Sequence, residues 1–228
     1  MLLKLMRHLN RKKVVVEFGS FHTTTPVSRA FGLDRGTPVN RYYIEKFLAV
    51  RAGLIHGRVL EIGGREYSRR FGGDRVERFE VLHATPDNPE ATIVGDLTDP
   101  GCLPEGAFDC FLCTQTFDCI FELHKAVQGA HRLLKPGGVL LATMCGISQI
   151  SRYDMERWGD YWRFTTASAA RLFQPVFAGG VEVGSFGNVL AAIALLQGLA
   201  IEDLPDPAVL DEHDADYQLI VTVVARKA

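Results

Sequence analysis

The alternation of strand-like and helix-like segments from Gly57 onward constrains the fold of this chain most strongly. Predicted strands cover residues 58–62, 79–83, 91–94, 107–116, 138–144, 180–186 and 217–227, and helical patterns lie near 66–71, 123–134, 165–173 and after residue 189. Strands separated by helices of this length pair in parallel through right-handed crossovers. The sequence therefore predicts an α/β protein with a doubly wound, mostly parallel seven-stranded sheet, helices on both faces and an antiparallel last strand.

Two apolar runs add detail to this sheet. The segment "AFDCFLCTQT" (107–116) is almost continuously apolar, which is typical of a strand buried on both faces. The run "VLAAIALLQGLAI" (189–201) is shorter than the roughly 20 residues that span a bilayer, so it predicts a buried helix.

The first 56 residues are predicted to form a helical segment that acts as a lid over a cofactor or substrate, and residues 57–228 the core domain. The start, "MLLKLMRHLNRKK", lacks a sustained apolar core and a small-residue cleavage site, so it does not fit a signal peptide. A short packed helix is the favoured interpretation, and contact with a membrane surface or partner through its apolar residues is the alternative. Those residues are Leu2, Leu3, Leu5, Met6 and Leu9.

The composition limits the classes of ligand and partner that this chain is expected to bind. The chain has 25 Lys and Arg against 27 Asp and Glu, so no large field of one sign selects nucleic acid or an anionic membrane, and a small ligand is expected. The five cysteines are an odd number and stand mostly in apolar runs, which favours reduced thiols in a cytoplasmic protein without disulfides. Cys110 and Cys113 have the spacing of a metal or redox pair, but they lie inside a predicted strand, so core packing is favoured and no metal site is expected.

The glycine turn after the first strand is the main candidate for a ligand site, since ligands of such sheets bind beyond the carboxyl ends of the strands. A dinucleotide fingerprint does not fit in either register, because Arg65 and Ser68, or Glu66 and Arg69, occupy the later glycine positions. The Gly-Lys-Ser/Thr end of a phosphate loop is also missing. An acid at the strand end followed by Gly63 and Gly64 suits a cationic zwitterion such as S-adenosylmethionine, although a simple tight turn explains the two glycines equally well.

Further along the chain the sequence resembles the class I S-adenosylmethionine-dependent methyltransferases, and within them the small enzymes found beside glycosyltransferases and in polysaccharide or secondary-metabolite pathways. The resemblance is carried by "VLEIGG", "IVGDLTDP", "FDCFLCTQTFDCI", "AHRLLKPGGVLLATM", "DYWRFTTASAARLF" and "GNVLAAIALLQGLAIEDL", in the family's order from about Thr37 to Lys227. It implies the Rossmann-like methyltransferase fold and S-adenosylmethionine as cofactor, with S-adenosylhomocysteine as product.

The resemblance also implies a set of cofactor-binding residues, in which the strand-end acid and glycines border the methionine part and Asp96 accepts the adenine amine. Each assignment has an alternative. Asp96 could be an ordinary turn residue, the residues after the fourth strand could make ordinary strand-end hydrogen bonds, and Tyr42 could pack in the core. The sequence departs from the family pattern at two places. The third glycine of the loop is missing, and the acid expected to bind the ribose hydroxyls at the end of the second strand is displaced, because that strand ends at a histidine. The implied set comprises Tyr42, Glu61, Gly63, Gly64, His83, Asp96, Leu97, Thr114, Gln115 and Thr116.

A base for a hydroxyl acceptor must come from the loops at the carboxyl ends of the strands. Asp118 and His124 are the candidate catalytic residues, although the first could be a helix cap and the second could lie on a solvated helix face. The aromatic loop at 152–165 offers Trp158, Tyr161, Trp162 and Arg163 for stacking on a sugar or planar ring, unless it is a structural clamp over the sheet.

The function expected from these residues is O-methylation of a hydroxyl of a carbohydrate or small natural product, in biosynthesis. A cyclisation or rearrangement that uses the same cofactor is one alternative, and a non-catalytic binding partner in a biosynthetic complex is the other. No nucleic acid and no stable membrane insertion are expected, and a homodimer is one expected assembly.

Overall fold

In the computed structural model, residues 19–178 and 180–228 are described. They contain seven strands, β1 (Gly57–Ile62), β2 (Val76–His83), β3 (Ile93–Val94), β4 (Phe108–Thr114), β5 (Leu134–Cys145), β6 (Val181–Phe186) and β7 (Ile220–Arg226). Over the same residues five α-helices occur, α1 (Val39–Val50), α2 (Leu123–Leu133), α3 (Arg152–Arg157), α4 (Thr166–Phe173) and α5 (Val189–Gln197).

The strands form one sheet in the order β3-β2-β1-β4-β5-β7-β6. Strands β1 to β5 pair in parallel, and β7 runs antiparallel to both of its neighbours, β5 and β6. This confirms the predicted fold class, including the antiparallel last strand. The order reverses between β1 and β4, so the carboxyl ends of these two strands border the crevice in which such sheets bind ligands.

Both faces of the sheet are covered, as the apolar character of β4 predicts. Phe111 and Cys113 face one layer, where they pack with α2 and α4, whereas Cys110 and Leu112 face the opposite layer with Val59 and α1. Cys110 and Cys113 are both fully buried, in agreement with core packing, and all five cysteines are free thiols.

Three elements differ from their predicted form. Strand β5 begins at Leu134 rather than 138, because the pairing with β4 shifts by several residues around Gly137, whose φ is +77°. The helical stretch predicted near 66–71 is present, but it is π-helical over Ser68–Gly72. The last strand, predicted from residue 217, starts at Ile220.

Helix α5 is not buried on all sides, so this expectation was wrong. Its alanines and Leu195 face the core, whereas four larger apolar side chains are 41–49 % exposed. A run that is apolar all round does not reveal which of its faces the fold covers. The exposed side chains are Val189, Leu190, Ile193 and Leu196.

The segment before β1 packs on the sheet. Ile44, Phe47 and Leu48 of α1 share a core layer with Val59 and Leu141. Residues 1–18, which include the predicted membrane- or partner-contacting leucines, lie outside the described residues, and the division at residue 56 stays a prediction. Among the described helices, none is both long enough and apolar enough to cross a membrane.

Candidate functional site

A cavity of about 860 Å³ opens at the carboxyl ends of β1, β2 and β4. This volume lies within the usual range for small-molecule and cofactor sites, roughly 300–1,000 Å³. Its floor is formed by the strand ends and its roof by α3 and the residues that follow it. Seven of the ten predicted cofactor residues line it: Gly63, His83, Asp96, Leu97, Thr114, Gln115 and Thr116.

The chain turns sharply at Gly63 as it leaves β1. The φ of Gly63 is +78°, a conformation that other residues adopt at a cost, and its N–H donates to the carbonyl of Leu82 at 3.0 Å. The Asn88 side-chain amide donates to the Gly63 carbonyl at 2.8 Å, which ties this turn to the loop after β2. A Cβ atom at Gly63 or Gly64 would have no neighbour within 4 Å, so backbone geometry rather than crowding requires the glycine at 63. Gly64 does not line the cavity.

Glu61 does not line the cavity either, contrary to the expectation that it borders the cofactor. Its carboxylate is 4 % exposed and accepts hydrogen bonds from the N–H groups of Tyr67 (3.1 Å) and Ser68 (2.7 Å). Glu61 therefore accepts hydrogen bonds from the first N–H groups of the π-helical turn and stabilises this turn from within the protein. Burial raises the pKa of Glu61, and the hydrogen bonds from Ser68 and Tyr67 oppose this shift.

Arg65, at the place of the missing glycine, is turned away from the cavity. Its Nε lies 2.9 Å from an oxygen of Glu90 in the loop after β2. The guanidinium therefore links the two loops, and its charge is not among those that line the cavity.

Besides the predicted His83, the segment after β2 supplies Asp87 and Asn88, which were not among the predicted site residues. His83 Nδ1 lies 2.9 Å from the carbonyl of Thr85 and 3.7 Å from Oδ1 of Asp87. Asp87 and Asn88 line the cavity, so the loop offers a carboxylate four residues beyond the end of the strand. The hydrogen bond from Thr85 is the main cause of the lowered pKa of Asp87.

After β3, Asp96 uses one carboxylate oxygen in a turn, where Oδ1 accepts from the N–H of Thr98 at 2.7 Å. The turn role and a ligand role are compatible, because the carboxylate has a second oxygen. Leu97 is 4 % exposed, and its carbonyl lies against Gly129 of α2, where any Cβ would approach it to 2.0 Å. A glycine on α2 thus lets this wall of the cavity pack closely on the helix.

At the end of β4, Gln115 adopts a φ of +49°, which is uncommon for a residue with a side chain. Its N–H donates to the Thr143 carbonyl at 2.8 Å and its Nε2 to the Thr143 hydroxyl at 3.1 Å. These contacts to β5 hold the strained residue in place, as is common at binding sites.

Some aromatic residues of the loop after β5 line the cavity, whereas others make contacts within the protein. Trp158 and Tyr161 line the cavity, and the Trp158 ring contacts the His83 ring edge-on, with centroids 5.6 Å apart. Trp158 therefore reaches across the cavity from the β5 side to the end of β2.

Trp162 and Arg163, predicted to bind substrate, are held by contacts within the protein. Trp162 Nε1 donates to the carbonyl of Ile120 at 3.1 Å, and its ring stacks on Phe121. Arg163 pairs with Asp160 (Nη2 to Oδ2, 2.9 Å) and donates to the Gln149 carbonyl, and the hydrogen bond with Asp160 raises the pKa of Arg163. Neither lines the cavity, so the structural-clamp alternative describes these two side chains.

Asp118 is buried behind the cavity wall rather than exposed to a substrate. Its Oδ1 accepts from the N–H of Cys145 at 2.8 Å, and its backbone carbonyl accepts from the N–H groups of Tyr161 and Trp162. Its Oδ2 has no hydrogen-bond partner among residues 19–178 and 180–228. Burial raises the pKa of Asp118 to about 7, opposed by the hydrogen bond from Cys145.

Two further predicted residues lie elsewhere. His124 is exposed in the first turn of α2 and does not line the cavity, in agreement with the solvated-face alternative. Tyr42 donates its hydroxyl to Asp211 at 2.6 Å, and this hydrogen bond raises the pKa of Tyr42 to about 12. The lining residues all follow Gly57, and the lid role of the first 56 residues stays a prediction.

Several lining residues were not singled out from the sequence. They belong to the segments directly after β2, β3, β4 and β5, including helix α3, and that position was the available signal. They are Ala84, Asp87, Asn88, Pro89, Gly95, Thr98, Cys119, Ile120, Phe121, Glu122, Tyr153, Asp154 and Arg157, together with Ile62 and Leu82 at the strand ends.

Comparison with known proteins agrees with this geometry. The sequence profile of a methyltransferase domain family matches residues 53–142, which run from just before β1 into β5. No curated protein matches the sequence.

Solved structures with a similar fold include a SAM-dependent methyltransferase from Archaeoglobus fulgidus, with a TM-score of 0.54, 11 % identity and coverage of 82 % of this chain and 94 % of the other. An S-adenosylmethionine-dependent methyltransferase from Mesorhizobium loti gives a TM-score of 0.52 at 15 % identity, covering 86 % and 100 %. The [4+2]-cyclase SpnF gives 0.52 at 18 % identity, covering 99 % and 93 %.

At these identities the structural neighbours establish the fold, and the profile match shows a similarity to methyltransferase domains over residues 53–142. Both agree with S-adenosylmethionine as the predicted cofactor. Residues 53–142 are thus similar to a methyltransferase domain family, and the chain has the fold of solved S-adenosylmethionine-dependent methyltransferases.

Proposed function

We propose that this protein is an S-adenosylmethionine-dependent methyltransferase that O-methylates a hydroxyl group of a carbohydrate or small natural product. The observation that carries the proposal is a cavity that joins the glycine turn after β1 to the aromatic roof formed by Trp158 and Tyr161. A cofactor held at the strand ends and an acceptor under the roof would share this space.

The lining residues fit the cofactor. Gly63 leaves open space beside the backbone, Asp96 has a carboxylate oxygen outside its turn, and Thr114 and Thr116 add hydroxyls at the end of β4. Within the described part of the chain, four carboxylates line the cavity, and Arg157 is its only Lys or Arg side chain. Such walls attract a sulfonium cation.

The proposed cofactor residues are Gly63, His83, Asp87, Asp96, Leu97, Thr114, Gln115 and Thr116. Asp87 takes the place of the acid that the family pattern puts at the end of the second strand, because its carboxylate reaches the cavity from the following loop. When bound, S-adenosylmethionine supplies an activated methyl group, and the protein contributes alignment, which is worth up to roughly 7–11 kcal/mol in ideal cases.

The acceptor class is inferred from the roof. Trp158 and Tyr161 offer flat apolar surfaces beside the carboxylates of Asp154 and Glu122. Aromatic faces with a few polar groups suit a sugar ring or planar natural product whose hydroxyls need hydrogen-bond acceptors. A cytoplasmic location is part of the proposal, since the five cysteines are free thiols.

A cyclisation or rearrangement is the second candidate. Two observations favour it: neither predicted base, Asp118 or His124, lines the cavity, and a structural neighbour that covers 99 % of this chain is a [4+2]-cyclase. Mass spectrometry of the reaction products separates the two candidates, because only methyl transfer adds one methyl group to the acceptor.

The test of the proposal is isothermal calorimetry with S-adenosylhomocysteine, followed by transfer of radiolabelled methyl groups to methyl glycosides and phenols. We expect binding by the wild type, and loss of binding without unfolding when Gly63→Arg fills the turn. Unchanged binding in that variant would discard the assigned site. Cofactor binding without methylated product would move the assignment to the second candidate.

A further inference from the structure

Asp154 differs from the other three carboxylates that line the cavity. Asp87 accepts from Thr85, Asp96 accepts from the N–H of Thr98, and Glu122 lies 2.6 Å from the ammonium group of Lys125. The Asp154 carboxylate accepts no hydrogen bond and forms no ion pair with any other residue in 19–178 or 180–228. It is half-buried, so it has lost part of its hydration without gaining a protein partner.

The local sequence explains why this carboxylate is free. Ser151 caps α3, and its hydroxyl accepts from the N–H of Asp154 at 3.3 Å. In a reciprocal capping box the side chain three residues after the cap bonds back to the cap's own N–H. Here that N–H donates to Oδ2 of Asp160 at 2.9 Å instead, and Asp160 is itself held by Arg163. Asp160 therefore fills the structural role that Asp154 would otherwise have.

The backbone at Asp154 is firmly held. Its carbonyl accepts from the N–H groups of Trp158 (2.7 Å) and Gly159 (2.9 Å). The next part of the roof is fixed by the Asp118 carbonyl, which accepts from the N–H of Tyr161 at 2.9 Å. Asp154 is thus presented from a rigid support, as a group that positions a reacting atom must be.

Asp154 lines the same cavity as the residues at the end of β4. Cys119, five residues after β4, also lines the cavity, and the negative charge of Asp154 affects the pKa of its thiol. Burial raises the pKa of Cys119 to about 12, and the carboxylate of Asp154 is the largest contribution from a neighbouring charge. Thr114, Gln115 and Thr116, which the resemblance to the methyltransferases implies lie near the cofactor sulfur, line the same cavity.

We propose that the Asp154 carboxylate binds the acceptor hydroxyl and receives its proton during methyl transfer. This inference rests on the proposed function. The acceptor oxygen forms a bond to the methyl carbon while the carbon–sulfur bond breaks and its electron pair stays on sulfur. The hydroxyl proton passes to an oxygen of Asp154, which becomes a neutral carboxyl group and later releases the proton to water. No further reactant is required.

The test compares Asp154→Asn with Glu156→Gln, which removes the same charge from an exposed position of α3 outside the cavity. With acceptors that the wild type methylates, we expect Asp154→Asn to lower the transfer rate by about 10²-fold or more, the usual contribution of a positioned base. Affinity for S-adenosylhomocysteine should change less than about threefold, because Asp154 is assigned to the acceptor. Full turnover by Asp154→Asn overturns the proposal. So does a wild type that methylates primary amines in place of hydroxyls.

A second readout does not depend on turnover. In a Cys102→Ala background, which removes the exposed thiol, the rate of Cys119 alkylation by iodoacetamide reports its thiolate fraction. Loss of the Asp154 charge should speed alkylation about threefold to tenfold, and Glu156→Gln should leave it unchanged. An unchanged rate in Asp154→Asn means that the carboxylate does not face Cys119 and overturns the inference, even if the protein binds the cofactor. Failure of the wild type to bind S-adenosylhomocysteine would instead refute the proposed function.

Discussion

Replacement of Asp118 by asparagine should change how the stability of the protein depends on pH. The Asp118 side chain is 3 % exposed, only one of its oxygens has a hydrogen-bond partner within the described residues, and burial raises its pKa from 3.8 to about 7. The folded protein therefore keeps this proton up to about pH 7, whereas the unfolded chain releases it near pH 4. The stability supplied by the neutral carboxyl group is full below pH 4 and is lost as the pH rises through 7.

The magnitude follows from the size of the shift. Each pH unit between the two pKa values costs about 1.4 kcal/mol, so Asp118 should lower the free energy of unfolding by about 3 kcal/mol between pH 5 and pH 8. The asparagine side chain would keep an acceptor for the Cys145 N–H but would not ionise. The stability of Asp118→Asn relative to the wild type should therefore rise by about 3 kcal/mol over this range.

Urea denaturation at pH 5, 6, 7 and 8 measures this difference, with Glu156→Gln as the exposed control that should run parallel to the wild type. Parallel curves for wild type and Asp118→Asn would refute the assignment of Asp118 as a buried structural carboxyl group. Because Asp118 lies outside the cavity, the same variant should retain its affinity for S-adenosylhomocysteine.

Three further predictions concern neighbouring residues. Gly63→Ala should lose about 1–2 kcal/mol of stability and bind S-adenosylhomocysteine more weakly, because residue 63 has a φ of +78°. Gly64→Ala should be tolerated. Urea titration and calorimetry measure the two effects, and equal effects in both variants would contradict this contrast. Glu61→Gln should cost about 1.5–3 kcal/mol, since the N–H groups of Tyr67 and Ser68 bond to different oxygens of Glu61 and one of these becomes an NH2 donor; a loss under about 0.5 kcal/mol would argue against the observed hydrogen bonds. His124→Ala should leave methyl transfer and thermal stability unchanged, and a tenfold loss of rate would return this residue to the list of candidate bases.

The sheet could be predicted because its signals are local. Buried strands such as β4 are apolar on both faces, and Pro136 and the glycines beside it interrupt the preceding helix. The carboxyl ends of parallel strands meet at one edge, so Gly63, Asp96 and Thr114 were expected at one site, and all three line the cavity.

The role of each acid could not be predicted in the same way, because it depends on which donor reaches it in the fold. Glu61 stands at the strand end as expected, but two amides six and seven residues later take up its oxygens. Asp118 turns inward to the N–H of Cys145, 27 residues away. Asp154 carries no distinguishing signal in the sequence, because an acid in a first helical turn is usually a capping residue, and only the contact between Asp160 and Ser151 shows that this role is filled.

The aromatic loop illustrates the same limit. Its composition indicated either stacking on a ligand ring or a structural clamp, but Trp158 lines the cavity while Trp162 is fixed by the carbonyl of Ile120. Which tryptophan faces the ligand depends on the turn between them, which Gly159 makes with a φ of +97°.

The most direct test of the central claim is a crystal structure of the protein grown with S-adenosylhomocysteine. We expect the nucleoside in the 860 Å³ cavity, with its amino-acid end at Gly63, its adenine beside Asp96 and Leu97, and its sulfur next to Thr114 and facing Asp154. An empty cavity at saturating ligand, or a ligand bound away from the β1 turn, would contradict the account.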